Sequence, residues 1–333
     1  VNLLKLKNNF DILRLTLAVL VYFAHWNILT LQDISNPLFH LSGFAVDMFF
    51  IVSGFLIFWS FDNDQNKKHF YIKRFFRIFP LYAFLIILQT LFFIGFSDGN
   101  FLEIVKYFVT NIFFLNFLAP SVGTTLSGLE VDAINGSLWT LKNEVIFYAL
   151  VPLIFILYKK WGGYFLVMLY SLSLVYMFAV DYLGIEKLLV QFPAQLRLFL
   201  VGILLYVLLD KLKDKNIALL AIGSLISMVL FKDFEYFKFT VYPLFLGILV
   251  IYLVYFVKPI KINFDFSYSF YILHFPVIQL ALYFGINPSN PLVSFVSLFA
   301  VILFLSYFSE KYIEKRFVKM GREIVEKDKN ANK

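Results

Sequence analysis

The sequence predicts an all-α polytopic membrane protein, a bundle of about ten transmembrane helices with both termini in the cytoplasm. Three observations predict it. Of 333 residues, 61% are hydrophobic and 20% aromatic, and the mean hydropathy is +0.80, whereas a soluble domain is about half apolar. Ten segments are long and apolar enough to cross a bilayer. The cationic residues partition to one side of that layout, as the positive-inside rule requires.

The spans run over 10–31, 43–60, 78–96, 138–158, 164–181, 196–210, 217–231, 241–257, 267–286 and 292–312. Lys5 and Lys7 precede the first, as in a signal peptide, but no small-residue cleavage site follows it, so it is expected to be retained. The segment 103–119 is apolar but short and carries Lys106, Asn111 and Asn116; it reads as a re-entrant or interfacial helix on the outer side. Counting it as a span would invert everything after it. With the N-terminus inside, only Lys106, Lys142, Lys187, Arg197, Lys232 and Lys238 of the 29 Lys and Arg fall at or near the outer face. The membrane domain covers 1–318. Residues 319–333 form a short basic tail expected on the cytoplasmic surface, and no soluble domain is expected beside them.

Composition also narrows the chemistry. Without cysteine there is no disulfide, thiol nucleophile or acyl-cysteine. Four histidines offer no zinc-site spacing, so no metal is expected. The net charge of +7 reflects the cytoplasmic loops rather than a nucleic-acid partner.

Polar residues inside the spans are the candidates for function. Arg14 and His25 lie eleven residues apart, which in a helix is roughly 20° past three full turns. Both share a face and stand about 16 Å apart along the axis. An intramembrane cation is costly and marks a functional site by default, although an arginine near a helix end also snorkels to the surface. Counting along the spans, His25 and Glu144 both lie roughly 10 Å below the outer face. Asp47 and Arg197 lie near the outer ends of the second and sixth spans. These four are expected to share a polar pocket in which a carboxylate orients a neutral histidine as general base. A structural salt-bridge cluster is the competing account. Trp139 and Ser137, at the mouth of the Glu144 span, join Arg197 as candidates for substrate contact.

A second group is cytoplasmic. Arg74 and Arg77 stand three apart on one helix face, and Pro80 suits the first turn of the next helix. A helix N-terminus beside two arginines is a phosphate site; ordinary positive-inside flanking accounts for the same charges. His274 lies about seven residues into the ninth span from the inner side, and Pro276 after it frees a carbonyl one turn earlier, near Ile272. A ligand joining both groups is polyanionic at the cytoplasmic end and reactive near the outer face. Acyl-coenzyme A has that form, and its pantetheine arm is comparable in reach to the Arg14–His25 offset.

Five stretches in order resemble acyltransferase family 3, integral membrane acyltransferases that modify sugars and other hydroxyl compounds. Asp11-Ile12-Leu13-Arg14 through His25 resembles the family's Arg-x10-His signature, and Val46 to Ile57 its aspartate-then-SGF span. Arg74 to Tyr82 is similar to its RxxRIxPxY loop. Ser137-Leu138-Trp139-Thr140-Leu141-Lys142-Asn143-Glu144 is similar to SLWSLxxE, and Ser269 to Pro276 to its late Tyr-x-x-His segment. Val145 and Ile146 stand where the family often has an acidic residue and Gln, and Ala45 where Gly is common. The resemblance implies ten core helices, an acyl-CoA donor (usually acetyl-CoA) and essential roles for Arg14 and His25.

The expected activity is O-acyl transfer, mostly O-acetylation, to a bacterial surface glycan or its lipid-linked precursor in the cytoplasmic membrane. His25, Glu144 and Asp47 are the catalytic candidates. Arg14, Arg74, Arg77 and His274 are the candidates for holding acetyl-CoA; Arg197, Trp139 and Ser137 are those for the acceptor. A transporter of an anionic solute also fits intramembrane charge, but the segment pattern has no internal repeat of the kind common in transporters.

Overall fold

The computed structural model describes residues 8–32, 34–212, 216–262, 264–286 and 290–331, and is helical with no strand among them. Lys5, Lys7, Lys213, Lys215 and Lys333, which the ten-span layout puts on the inner face, lie outside the described residues. Thirteen α-helices follow in order among those described: α1 (Phe10–Thr30), α2 (Ser42–Asn63), α3 (Lys67–Phe96), α4 (Phe101–Ile112), α5 (Trp139–Trp161), α6 (Gly163–Tyr182), α7 (Phe192–Leu212), α8 (Ile217–Leu230), α9 (Glu235–Thr240), α10 (Tyr242–Ile251), α11 (Ser267–Tyr283), α12 (Pro291–Ser309) and α13 (Lys315–Ala331).

Seven helical segments among the described residues are long and apolar enough to cross a membrane: Phe10–Thr30, Ser42–Asn63, Lys67–Phe96, Gly136–Trp161, Gly163–Tyr182, Glu186–Leu212 and Pro291–Ala331. They match seven of the ten expected spans. The other three fall on shorter apolar helices, Ile217–Leu230, Tyr242–Phe256 and the 17-residue α11. Fourteen residues of α8 rise only about 21 Å, short of the roughly 30 Å hydrocarbon core. The 12-residue α4 is shorter still. Its Tyr107 and Asn111 are buried while Phe101 and Leu102 are exposed, the pattern of a helix lying along a surface.

The chain divides into two compact units. The first comprises Val1–Leu17, Val46–Lys67 and Asn143–Asn263; the second comprises Ala18–Ala45, Lys68–Lys142 and Phe264–Lys333. In the first unit, α2 and α7 meet backbone to backbone. A Cβ on Gly54 would land on the Phe199 carbonyl, and one on Gly202 on the Ile51 carbonyl. Small residues permit such an approach. Gly162 turns α5 into α6 with φ +63°, a conformation that side chains with a Cβ disfavour. Asn9 fastens the start of α1: its Nδ2 donates to the Leu253 and Val257 carbonyls at 3.1 and 3.2 Å, and its Oδ1 accepts from the Ile260 amide at 2.8 Å.

In the second unit, the Tyr268 hydroxyl donates to the Ile78 carbonyl (2.9 Å) and that of Tyr283 to the Phe96 carbonyl (3.3 Å), so α3 and α11 run parallel. Tyr22 of α1 donates to the Phe295 carbonyl of α12 at 2.7 Å and packs on Phe295, Phe299 and Phe270. The basic tail is α13. It continues α12 through a π-helical turn, Glu310–Glu314. Gly321 lets it sit on the Phe76 side chain, Phe317 stacks at 6.4 Å on the Phe76 ring, and Asp328 bridges Lys68 and His69.

Candidate functional site

His25 and His274 meet in the second unit. The Nδ1 of His25 lies 2.7 Å from the Nε2 of His274, with the rings nearly parallel at 9°. His274 is wholly buried; His25 keeps accessible surface. The hydrogen-bond network assigns the protons. The His274 Nδ1 faces the Phe270 carbonyl at 3.3 Å, which only accepts, so that nitrogen carries the hydrogen. In the neutral ring its Nε2 is then an acceptor and takes the hydrogen on His25 Nδ1. The Nε2 of His25 is left with a free lone pair, the state required of a base.

The surroundings of this dyad come from the motif stretches. Pro276 has no N–H for the Ile272 carbonyl, and Asn135 supplies the missing donor, its Nδ2 lying 2.9 Å away. The freed carbonyl expected from the sequence is thus used to tie the loop before α5 to α11. Gln279 adds bonds to the Val131 and Ala133 carbonyls at 2.7 and 2.8 Å. Phe275 stands edge-on to the His25 ring, 5.1 Å between centroids, and its tip rests on Gly136. Ser137 is 1% exposed; its hydroxyl donates to Asn135 Oδ1 at 2.7 Å, so it shapes the start of α5. Trp139 and Lys142 line a cavity shared with Tyr107, Asn111, Asn116 and Phe117.

One expectation about the cytoplasmic group is corrected. Pro80 does not open a helix: α3 begins at Lys67 and runs through it. Arg74 and Arg77 therefore lie in a helix interior rather than before a helix that starts at Pro80. Membrane helices tolerate an internal proline; the donor it lacks is the one for the Phe76 carbonyl, and Tyr268 separately ties α11 to the carbonyl of Ile78. His274, a candidate for lining the donor's path, lies against His25. Arg77 already holds two carboxylates, Asp265 at 2.8 Å and the buried Glu314 at 3.6 Å. Arg74 lies 5.9 Å over the Phe70 ring.

Glu144, Asp47 and Arg197 belong to the first unit, where they form two clusters. Glu144 Oε1 accepts from Ser53 Oγ at 3.3 Å and from the Tyr148 hydroxyl one turn along α5. In the SGF stretch, Ser53 thus holds Glu144, Gly54 admits α7, and Phe55 packs on Phe10 and Tyr206. Asp47 accepts from the Tyr242 hydroxyl and interacts electrostatically with Arg197, which is 5% exposed and donates to the Ala194 carbonyl at 2.8 Å. Arg14 is half-buried in this unit, on the uninterrupted α1 that also carries His25.

Sequence reasoning missed Asn135, Tyr148, Tyr242 and Phe275. Tyr148 had a readable signal, four residues after Glu144 on one helix face. Asn135 precedes the Ser137 motif by two residues, the spacing of an Asx turn. Tyr242 and Phe275 had none, because their roles depend on which helices adjoin.

The family profile described as "Acyltransferase domain" matches residues 7–310. The chain is 31% identical over 338 aligned residues to an "O-acetyl transferase" of Shigella phage Sf6, covering 93% of this chain and 96% of that protein. It is 32% identical over 170 residues to "Nodulation protein 10" of Rhizobium leguminosarum bv. viciae, covering 46% of each. No solved structure matches.

Proposed function

The chain belongs to the acyltransferase family whose profile spans its residues 7–310, and on that premise we propose that it is a membrane O-acyltransferase. It moves an acyl group, acetyl above all, from cytoplasmic acyl-CoA to a hydroxyl of a bacterial surface glycan or its lipid-linked precursor. Its setting is the bacterial cytoplasmic membrane, crossed ten times with both termini inside. Short apolar helices such as α8 and α10 cross it with the help of flanking aromatic and charged residues.

The observation that carries the reading is the His25–His274 pair. The acceptor hydroxyl loses its proton to His25 Nε2 as its oxygen attacks the thioester carbonyl. A C–O bond forms, the C–S bond breaks, and the proton returns to the leaving sulfur. The His274 ring, fixed by the Phe270 carbonyl, holds His25 in the reactive tautomer, and the charge that appears on His25 is shared with it. Arg14, on the same face of α1, lies along the pantetheine arm, and Arg74 meets the donor phosphates. Arg77 keeps its carboxylates and holds the start of α11 against α3. Glu144 and the Asp47–Arg197 pair stabilise the first unit and support the site electrostatically. An anion exporter has no use for a neutral histidine relay.

The test is release of free coenzyme A from acetyl-CoA by the purified protein, with mass spectrometry of surface glycans from a deletion strain. Loss of one acetyl group per repeat unit is the expected result. Unchanged glycans together with no CoA release defeat the reading.

A further inference from the structure

The cavity beneath α4 has a volume of about 130 Å³. One wall is Tyr107 and Asn111 of α4 with Asn116 and Phe117; the other is Trp139 and Lys142 at the start of α5. A dry cavity of similar size accommodates a benzene ring, so the space suits a single six-membered ring. Its wall is preorganised. Asn116 Nδ2 donates to Asn111 Oδ1 at 2.7 Å and to the Tyr82 hydroxyl at 3.0 Å, and Asn111 Nδ2 donates to the Tyr107 and Ala119 carbonyls, each at 2.8 Å. Lys142 is 9% exposed, with its ammonium 4.7 Å from the centre of the Phe117 ring.

The chemistry of this lining is selective. Aromatic rings pack the C–H face of a sugar, while amides and an ammonium hydrogen-bond its hydroxyl edge. A coenzyme A nucleotide, with several phosphates, finds one cation and no arginine. An acyl chain leaves the buried Asn116 Oδ1, which accepts no hydrogen bond among the described residues, beside hydrocarbon together with the Lys142 ammonium, which costs free energy. No acidic side chain is among the lining residues. The position is also selective. Gly136 belongs to the lining and supports the tip of Phe275, whose ring meets His25 at 5.1 Å.

We propose that this cavity is the acceptor subsite and that it holds one neutral sugar ring, with Lys142 and Trp139 as its specificity-determining residues. The proposal rests on the acyltransferase reading above. It places the acceptor ring beside Gly136, next to the Phe275 side chain that packs on His25.

The experiment uses the full-length protein in detergent with acetyl-CoA and a panel of methyl pyranosides, neutral hexosides and deoxyhexosides beside uronides. Coenzyme A release and the acetylated product are both measured. At least one neutral glycoside is expected to accelerate release and to be acetylated. Lys142→Met and Trp139→Ala should each raise the KM for that glycoside about tenfold or more, with the KM for acetyl-CoA unchanged. That unchanged value also shows the variants folded, and Lys142→Arg should recover part of the loss. Wild-type glycoside KM in both variants overturns the subsite. Acetylation confined to uronides overturns the neutral-sugar assignment. Coenzyme A release insensitive to every glycoside overturns the subsite alone. No release under any condition overturns the transferase reading beneath it.

Discussion

His25 Nδ1 and His274 Nε2 lie 2.7 Å apart, and the Phe270 carbonyl behind His274 settles which of them carries the shared hydrogen. A first prediction follows from that order. His25→Ala removes the base, and turnover should fall by about 10²–10⁴-fold or more. His274→Ala should lower kcat by a similar order without raising the KM for acetyl-CoA. His274→Gln should restore part of the rate, because an amide oxygen also accepts from His25. Coenzyme A release under saturating donor measures all three; a rate for His25→Ala near wild type removes the dyad from the chemistry.

The two arginines of α3 should behave differently. Arg74→Ala should raise the KM for acyl-CoA roughly tenfold or more, as for a lost charge-assisted contact. Arg77→Ala removes a cation held by Asp265 and the buried Glu314. It should destabilise the fold by about 1.5–3 kcal/mol with a smaller change in donor affinity. Thermal unfolding in detergent beside donor titration separates the two effects. Equal loss of donor affinity in both variants returns Arg77 to the donor site.

Asn135→Ala should cost about 1–3 kcal/mol, the penalty for a buried carbonyl left without a donor. Pro276→Ala returns an N–H to the Ile272 carbonyl from within α11. The double variant should therefore be less destabilised than the sum of the single ones. A double-mutant cycle of unfolding free energies measures this, and simple additivity would show that the bond from Asn135 carries little of the loop's attachment.

Asp98 sits in the loop before α4. Its carboxylate accepts from the Thr124 hydroxyl, the Thr124 amide at 2.9 Å and the Thr125 hydroxyl at 3.3 Å. These bonds, the Thr124 hydroxyl first, hold its pKa below the ordinary aspartate value. The folded value lies below the unfolded one, so the contribution is present above the ordinary aspartate range and lost as pH falls through the depressed value. Proteolysis of the 120–130 loop should accelerate on acidification in that window, and Asp98→Asn should abolish the pH dependence. An identical pH profile in the variant assigns the effect elsewhere.

Sidedness can be tested without background labelling because the chain has no cysteine. Asn66→Cys, between α2 and α3, should react with an impermeant thiol reagent only from the cytoplasm. Asn290→Cys, capping α12, should react only from outside. Reaction of the second variant from the cytoplasm breaks the ten-span layout and the through-membrane transfer with it.

Helix positions were legible from hydropathy because a membrane span must be continuous and apolar. The freed carbonyl of Ile272 was legible because a proline's missing donor is a local fact. Arg14 and His25 on one helix were legible from spacing. The partner of His25 was not: depth along α11 gives a height, while the meeting with α1 depends on how helices pack around each other. Pro80 misled for the opposite reason. Local preference favours it at a helix start, but α3 already begins at Lys67 and runs through it.

The π-helical turn Glu310–Glu314 governs the phase of everything after it. A π turn holds one residue more than an α turn, and each residue of helix is worth about 100° of rotation. Deleting any one residue there would leave every later side chain intact and swing them together off their partners. Gly321 and Phe317 would leave Phe76, and Asp328 would leave Lys68 and His69. The join between α12 and α13 thus answers to the number of its residues as well as to the two buried glutamates that it carries.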